Sequence, residues 1–254
     1  MTIWRIIYAG IDTNVLQCLL DNKESNVIGL ARLEFLSRHT WNPVNWLFQI
    51  VYILRRRNSC RHLETPLAFL VVCMAGLLSG HWRRYASYLY VLSRNRIPIY
   101  EISPGSVDIA VLRRLAPDIL VLNVWEIVPQ KVLACFKRGA INIHPSKLPK
   151  YRGALPTLWS IRNGDHESAV SFVTVDEKID GGQILRQVPF YIEDHDDWRS
   201  IENKVDVIAC QNVDEVITEF MSGKLTATGQ PAQCGSVTAK YADYQRIDLS
   251  TEST

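Results

Sequence analysis

The stretch that decides the fold is Ala140-Ile141-Asn142-Ile143-His144, which is followed by Pro145. Apolar and polar residues alternate along it, as they do in a β-strand, where successive side chains point to opposite faces of the sheet. Asn142 and His144 are therefore predicted to share one face. Because proline cannot donate to a sheet hydrogen-bond ladder, the strand is predicted to end at His144, at the carboxyl edge where open α/β sheets bind ligands.

A histidine and an asparagine at such an edge indicate a site that moves protons and stabilises negative charge. Imidazole titrates near neutral pH and can accept a proton from an attacking amine, and an amide N–H can donate to an oxyanion. Asp180 is the candidate for a carboxylate that orients the imidazole, since Asp180-Gly181-Gly182 forms a short loop between predicted strands at 169–175 and 183–192. Asp-Gly is also a common hairpin turn, so a purely structural turn is the alternative interpretation.

These motifs resemble the folate-dependent formyltransferases, a family that includes glycinamide ribonucleotide transformylase, methionyl-tRNA formyltransferase and the sugar N-formyltransferases. The resemblance is carried by INIHPSKLPKYRGALPTLWSI at 141–161 and VSFVTVDEKIDGGQIL at 170–185. The positions that match the family pattern are Asn142, His144, Ser146, Leu148, Pro149, Arg152, Gly153, Asp180, Gly182 and Ile184. The resemblance implies that Asn142, His144 and Asp180 are the catalytic residues.

The resemblance also implies a cosubstrate, 10-formyltetrahydrofolate, in a pocket lined mostly by backbone at 121–128 and 175–180. The predicted folate contacts are Trp125, Glu126, Ile127, Val175, Asp176 and Asp180. A place in the core is the alternative for Trp125. No metal is predicted, because the cysteines show no Cys-x-x-Cys spacing and the chain contains no His-Glu-x-x-His motif.

A nucleotide-linked amino sugar is the predicted acceptor. Roughly 30 residues follow the last predicted helix, which is too few for the added domain of the tRNA enzymes. The loop after the first strand has the single glycine Gly10 and does not reproduce the Gly/Ser-rich phosphate loop of the glycinamide ribonucleotide enzymes. Glycinamide ribonucleotide, methionyl-tRNA and a noncatalytic binding protein of this fold are the alternatives.

Acceptor binding is assigned to the first loop, to residues just downstream of His144 and to the C-terminal tail. The predicted contacts are Gly10, Lys150, Tyr151, Arg152, Pro156, Trp159 and Tyr241. They offer an aromatic surface and cations for a base and a pyrophosphate. A core position for Trp159 and a plain surface strand around Tyr241 are the alternatives.

The order of apolar segments predicts an α/β fold, a doubly wound, Rossmann-like and mostly parallel sheet. Strands are predicted at 3–9, 26–31, 98–100, 118–124 and 140–144, and helices at 106–115, 129–136, 153–164 and 198–221. Residues 1–224 form the predicted catalytic domain, with a helical insertion at about 33–85, and 225–254 form a C-terminal extension on the substrate side. A first turn with one glycine disfavours dinucleotide binding.

Composition and charge limit the kinds of partner and compartment that can be predicted for this chain. A net charge of +2 over 254 residues is too small to predict a nucleic-acid partner. The six cysteines and an N-terminus without a secretory signal predict free thiols in the cytoplasm. The apolar runs at 46–54 and 66–78 are shorter than the ~20 residues that span a bilayer. Buried helices are the favoured interpretation of the insertion, and a membrane-surface hairpin or a homodimer interface are the alternatives.

Overall fold

Seven strands form one mixed sheet in the computed structural model, which describes residues 3–10, 13–33, 91, 95, 97–102, 107–123 and 127–231. The strands are β1 (Trp4–Gly10), β2 (Ser25–Leu33), β3 (Ile99–Ile102), β4 (Ile119–Asn123), β5 (Ala140–His144), β6 (Glu167–Thr174) and β7 (Ile184–Tyr191). Their order across the sheet is β3-β2-β1-β4-β5-β6-β7. The first five strands in this order pair in parallel, and the pairings of β6 with β5 and with β7 are antiparallel. This arrangement confirms the predicted mostly parallel sheet.

Helices cover both faces of this sheet, as a doubly wound fold requires. The described helices are α1 (Thr13–Asp21), α2 (Val107–Leu115), α3 (Gln130–Leu133), α4 (Pro156–Arg162) and α5 (Trp198–Met221). Along β1, Ile6 and Tyr8 pack with buried residues of α1 and α5, whereas Ile7 and Ala9 pack with buried residues of α2 and α3. Burial on both faces explains why β1 is continuously apolar from Ile6 to Ala9 rather than alternating.

The strand order reverses beside β1, which lies between β2 and β4. Gly10 and Asn123, the last residues of β1 and β4, are register partners there. Open α/β sheets bind ligands outside the carboxyl ends of strands at such a switch point. Gly10, a predicted acceptor contact, therefore lies where this topology places ligands.

The predicted element bounds agree with the structure to within a few residues, and 140–144 and 198–221 are reproduced. Helix α4 begins at Pro156 rather than at Gly153, because Gly153 and Leu155 have φ of 96° and 56°, which a right-handed helix does not allow. Helix α3 ends before 136, because the N–H groups of Cys135 and Phe136 reach only three residues back, to Val132 and Leu133.

Asp197, in the acidic run before α5, caps that helix. The Asp197 carboxylate accepts from the Ser200 backbone N–H at 2.7 Å, and the Ser200 hydroxyl accepts from the Asp197 N–H at 3.0 Å. Burial opposes ionisation of Asp196, but hydrogen bonds from Lys204 and Ser200 lower the pKa of Asp196 to about 2. The start of this long helix is therefore fixed, and its apolar stripe packs against the sheet.

The prediction that all cysteines are free thiols is wrong for Cys18 and Cys210. A disulfide joins them across 192 residues of sequence and links α1 to α5. Sequence spacing could not show this pairing, because the sheet and the helix packing bring the two residues together. Cys135 is a buried free thiol. The cysteine pattern no longer supports a reducing compartment.

The insertion and the tail fall largely outside the described residues, so the interpretations of 46–54, 66–78 and 232–254 stay predictions. Within the described part of the chain, no helix is both long enough and apolar enough to cross a membrane. Residues 225–231 are described, and the backbone of Thr228 exchanges two hydrogen bonds of 2.8 Å with Ile184 at the start of β7.

The Cys18–Cys210 link is expected to stabilise the fold. A cross-link over so long a loop restricts the unfolded chain, so removing it with the double variant Cys18→Ser/Cys210→Ser should lower the free energy of unfolding by about 2–4 kcal/mol. Urea unfolding without reductant measures this. Reductant should destabilise the parent chain and leave the double variant unchanged, whereas full alkylation of Cys18 and Cys210 in unreduced, denatured protein would contradict the link.

Candidate active site

Three polar side chains meet where β5 ends. Asn142 and His144 are buried and lie on the face opposite Ile141 and Ile143, which belong to the hydrophobic core. Asp180 reaches them from the loop between β6 and β7. Its carboxylate accepts from the Asn142 amide nitrogen at 3.2 Å and lies 3.5 Å from Nδ1 of His144. The predicted clustering of these three residues is thus present, while their catalytic roles stay predictions.

Backbone geometry aims Asp180 into the site. Asp180 has φ of 45°, in the left-handed region that L residues rarely adopt. Its Oδ2 accepts a hydrogen bond of 2.7 Å from the backbone N–H of Gly153. The carboxylate is mostly buried, with 16% of the side chain exposed. Donors from two other segments therefore hold this carboxylate beside the imidazole.

The hydrogen-bond network assigns the protons of the His144 ring. Nε2 lies 2.9 Å from the backbone carbonyl oxygen of Tyr151. A carbonyl can only accept, so Nε2 carries hydrogen and, in the neutral ring, Nδ1 has the free lone pair. Nδ1 is the nitrogen that faces Asp180. A proton taken up at Nδ1 would create a cation directly beside a carboxylate.

The amide of Asn142 has one unused acceptor. Its nitrogen donates to Asp180, which fixes the amide orientation because a carboxylate can only accept. Its oxygen Oδ1 is buried and has no hydrogen-bond partner among the described residues. An unpaired buried acceptor costs about 1–3 kcal/mol. Such an atom at a cluster of polar side chains is typical of a site that binds a ligand.

A second polar network holds the loop after β5, and the sequence did not reveal it. The Ser171 hydroxyl of β6 donates to the Ser146 carbonyl at 2.5 Å and accepts from the Leu148 N–H at 3.3 Å and from Gln187 at 2.8 Å. Ser146 in turn donates to the Lys150 carbonyl at 2.8 Å. This network positions the loop whose next carbonyl, that of Tyr151, meets His144. Ser171, a serine within the mainly apolar run 169–175, was the sequence feature that could have indicated this network.

Two predicted acceptor contacts are already engaged. Lys150 donates to both carboxylate oxygens of Asp165 at 2.6 and 2.7 Å, and this interaction raises the pKa of Lys150 although burial opposes it. The Tyr151 ring is buried, and its hydroxyl accepts from Asn163 at 2.8 Å. Tyr151 therefore reaches the site through its carbonyl, and its ring does not supply the predicted exposed aromatic surface.

The other predicted acceptor contacts lie around the same loop. The Arg152 guanidinium donates to the side-chain oxygen of Gln230. Pro156 is buried in the first turn of α4. Trp159 is partly buried, its indole N–H has no partner among the described residues, and Arg162 stacks on its ring at 5.7 Å. Tyr241 lies outside the described residues.

The predicted folate contacts are described in part. Ile127 and Ile179 are 71% and 49% exposed. The Val175 N–H donates to the Ala140 carbonyl at 3.0 Å, and exposed Asp176 accepts from the Lys178 N–H at 2.8 Å. Trp125 and Glu126 lie outside the described residues. The described part of the chain contains no group of three or more His, Cys, Asp or Glu that could hold a metal ion.

The family model described as formyl transferase matches residues 106–217 of this chain. The methionyl-tRNA formyltransferase of Geobacter sulfurreducens is 35% identical over 134 residues, which are 52% of this chain and 42% of that protein. The chain thus spans less than half the length of this curated relative. All three clustered side chains lie inside the matched range.

Solved structures share the fold over most of the chain. A 4-N formyltransferase from Francisella tularensis matches with a TM-score of 0.62 and 15% identity, covering 99% of this chain and 83% of that one. An N-formyltransferase from Helicobacter canadensis, crystallised with folinic acid and dTDP-3-aminofucose, matches with a TM-score of 0.57 and 18% identity, covering 95% and 72%. At these identities the likeness concerns the fold.

Gly182 is expected to tolerate no side chain. A Cβ there would lie 1.7 Å from the backbone oxygen of Thr174, so Gly182→Ala must displace the loop that presents Asp180. We expect the free energy of unfolding to fall by about 1–3 kcal/mol, as for overpacked interiors. Urea unfolding measures it. Gly229→Ala is the matched control, since nothing lies within 4 Å of its added Cβ, and equal effects of the two variants would contradict the close contact.

Proposed function

We propose that this chain transfers a formyl group from 10-formyltetrahydrofolate to a primary amine, and the match of residues 106–217 to the formyl transferase family model supports this proposal. The observation that carries this proposal is the convergence of an amide, an imidazole and a carboxylate at Asn142, His144 and Asp180. Acyl transfer to an amine needs a donor for the oxyanion, a proton acceptor and a group that stabilises the protonated acceptor.

The amide of Asn142 is proposed to stabilise the oxyanion. As the amine attacks the formyl carbon, a C–N bond forms and the carbonyl electron pair moves onto oxygen. One N–H of Asn142 donates to Asp180, which leaves the second N–H for that oxygen. Removing a single such donor costs about 100- to 1000-fold in turnover in comparable sites.

The imidazole of His144 is proposed to carry the proton. Nδ1 has the free lone pair, so it takes the proton that the attacking amine loses, and Asp180 stabilises the cation so formed. The same proton then passes to the departing folate nitrogen as its bond to the formyl carbon breaks. His144 ends neutral, and the protons and electrons of the transfer balance.

The described residues fit a folate in the predicted pocket. The cosubstrate supplies the activated formyl group and presents flat rings with polar edges. The two loops assigned to it carry the exposed apolar side chains of Ile127 and Ile179, which suit the ring faces. The unpaired Asn142 Oδ1 adds a buried acceptor at the reacting end.

We propose a nucleotide-linked amino sugar as the acceptor. The sharing of the fold with the Helicobacter enzyme that was crystallised with folinic acid and dTDP-3-aminofucose supports this class. Gly10 at the switch point supports it further, since nucleotide phosphates commonly lie there in α/β sheets. Methionyl-tRNA is the second candidate, because relatives with 31–35% identity bear that name.

An acceptor panel decides between these candidates. The protein is incubated with 10-formyltetrahydrofolate and, separately, dTDP- and UDP-linked 3-amino and 4-amino sugars, glycinamide ribonucleotide and charged methionyl-tRNA. Mass spectrometry then scores the gain of one formyl group. We expect a sugar to be formylated. Formylation of methionyl-tRNA alone would move the assignment to the second candidate, and no product with any amine would overturn the proposed function.

The catalytic assignment predicts a large loss of turnover with folding retained. His144→Gln and Asp180→Asn should each lower kcat by about 100- to 10000-fold, because each removes proton transfer or its charge support. Exposed His195→Gln and Asp194→Asn are matched controls of the same chemical change and should keep full activity. Activity close to that of the parent chain in His144→Gln or Asp180→Asn would contradict the proposed roles of these two residues.

A further inference from the structure

Gln230 follows α5 in the chain and lies beside the β6–β7 loop, which carries Asp180. The backbone pairing of Thr228 with Ile184 brings this segment beside the start of β7. Two residues later, the Gln230 side chain contacts both loops that build the site. Nothing in the sequence motifs singles this residue out.

Four hydrogen bonds hold the Gln230 amide. Its Oε1 accepts from Nε and Nη2 of Arg152 at 3.0 and 2.7 Å. Its Nε2 donates to the backbone carbonyls of Asp180 at 2.9 Å and Gly182 at 2.7 Å. Guanidinium groups only donate and carbonyls only accept, so the amide cannot be rotated by 180° and keep these bonds. Both amide hydrogens and both oxygen lone pairs are used.

These four bonds act on the geometry of the Asp180 carboxylate from two sides. The two carbonyl bonds hold the backbone at and after Asp180, where φ is 45° and the conformation depends on its surroundings. The bonds to Arg152 hold the residue next to Gly153, whose N–H donates to Asp180 Oδ2 at 2.7 Å. One side chain thus positions the carboxylate and one of its donors.

We propose that Gln230 is a positioning residue for formyl transfer and that Arg152 serves to orient it. The inference rests on the proposed function, and it links the first residues of the C-terminal extension to the reacting groups. A displacement of about 1 Å at a reacting group costs on the order of 100-fold in rate. Gln230 therefore influences turnover through Asp180 without touching the substrate.

Gln230→Met keeps the size of the side chain and removes all four bonds. We expect kcat to fall roughly 10- to 100-fold. Gln230→Glu retains an acceptor for Arg152 but places a carboxylate against two carbonyl oxygens, so it should lose activity as Gln230→Met does. Gln211→Met, an exposed position on α5, is the matched control and should keep full activity. Full activity of Gln230→Met would overturn the proposal.

A double-variant cycle separates positioning from a general structural role. In an Asp180→Asn background the further change Gln230→Met should lower kcat by less than about threefold, because residues that act as one unit are not additive. A loss of 10- to 100-fold in both backgrounds would overturn the link to Asp180. A thermal unfolding midpoint close to that of the parent chain confirms that each variant is folded.

Amide hydrogen exchange provides a readout that does not need the reaction. If Gln230 holds the carboxylate, Gln230→Met should accelerate exchange of the Gly153 N–H, which donates to Asp180, whereas Gln211→Met should leave that exchange unchanged. Unchanged Gly153 exchange in Gln230→Met would overturn the positioning role. Absence of formyl transfer by the parent chain would instead overturn the proposed function, so the two failures are distinguishable.

Discussion

The carboxylate of Asp180 is the group on which the site geometry depends. It accepts from the Asn142 amide and from the Gly153 N–H, and it lies 3.5 Å from the imidazole of His144. A mostly buried negative charge is stable only when donors or cations surround it. The loops therefore have to bring these donors together, and β5, the loop after it and the β6–β7 loop meet at this one group.

The rest of the fold supports the convergence of these donors on Asp180. The central strands are buried on both faces, so β5 cannot shift without disturbing the core. Ser171 ties the loop after β5 to β6, and Gln230 ties it to the loop of Asp180. Neither residue belongs to the trio of Asn142, His144 and Asp180, yet each holds a loop that carries or contacts a member of it. This separation of chemistry from support is what precise positioning requires.

Reaction and acceptor depend on different parts of the molecule. The proposed proton-transfer groups lie on a core strand and on a loop closed over it. The predicted acceptor contacts lie on loops, and two of them, Lys150 and Arg152, are bonded to Asp165 and Gln230 within the protein. Loops tolerate sequence change better than core strands do. The match to the formyl transferase family model therefore bears more closely on the reaction than on the acceptor.

Prediction from sequence succeeded where the signal is local. Alternation along 140–144 predicted the strand and the shared face of Asn142 and His144, and the apolar pattern at 198–221 predicted α5. It failed for the Cys18–Cys210 pair, and it did not reveal Ser171 or Gln230. Those contacts join residues far apart in the chain, and their partners are backbone atoms or side chains whose identity carries no pattern.

The sequence by itself determined the order of strands and helices, the end of β5 at His144 and the residues of the trio, because periodicity, proline and motif spacing act over short distances. Only the tertiary structure decided which nitrogen of His144 faces Asp180 and that Lys150 is paired with Asp165. It also decided how Gln230 joins the loop after β5 to the β6–β7 loop. These outcomes depend on how the sheet and helices bring distant segments together, since hydrogen bonds need atoms within about 3 Å and aligned.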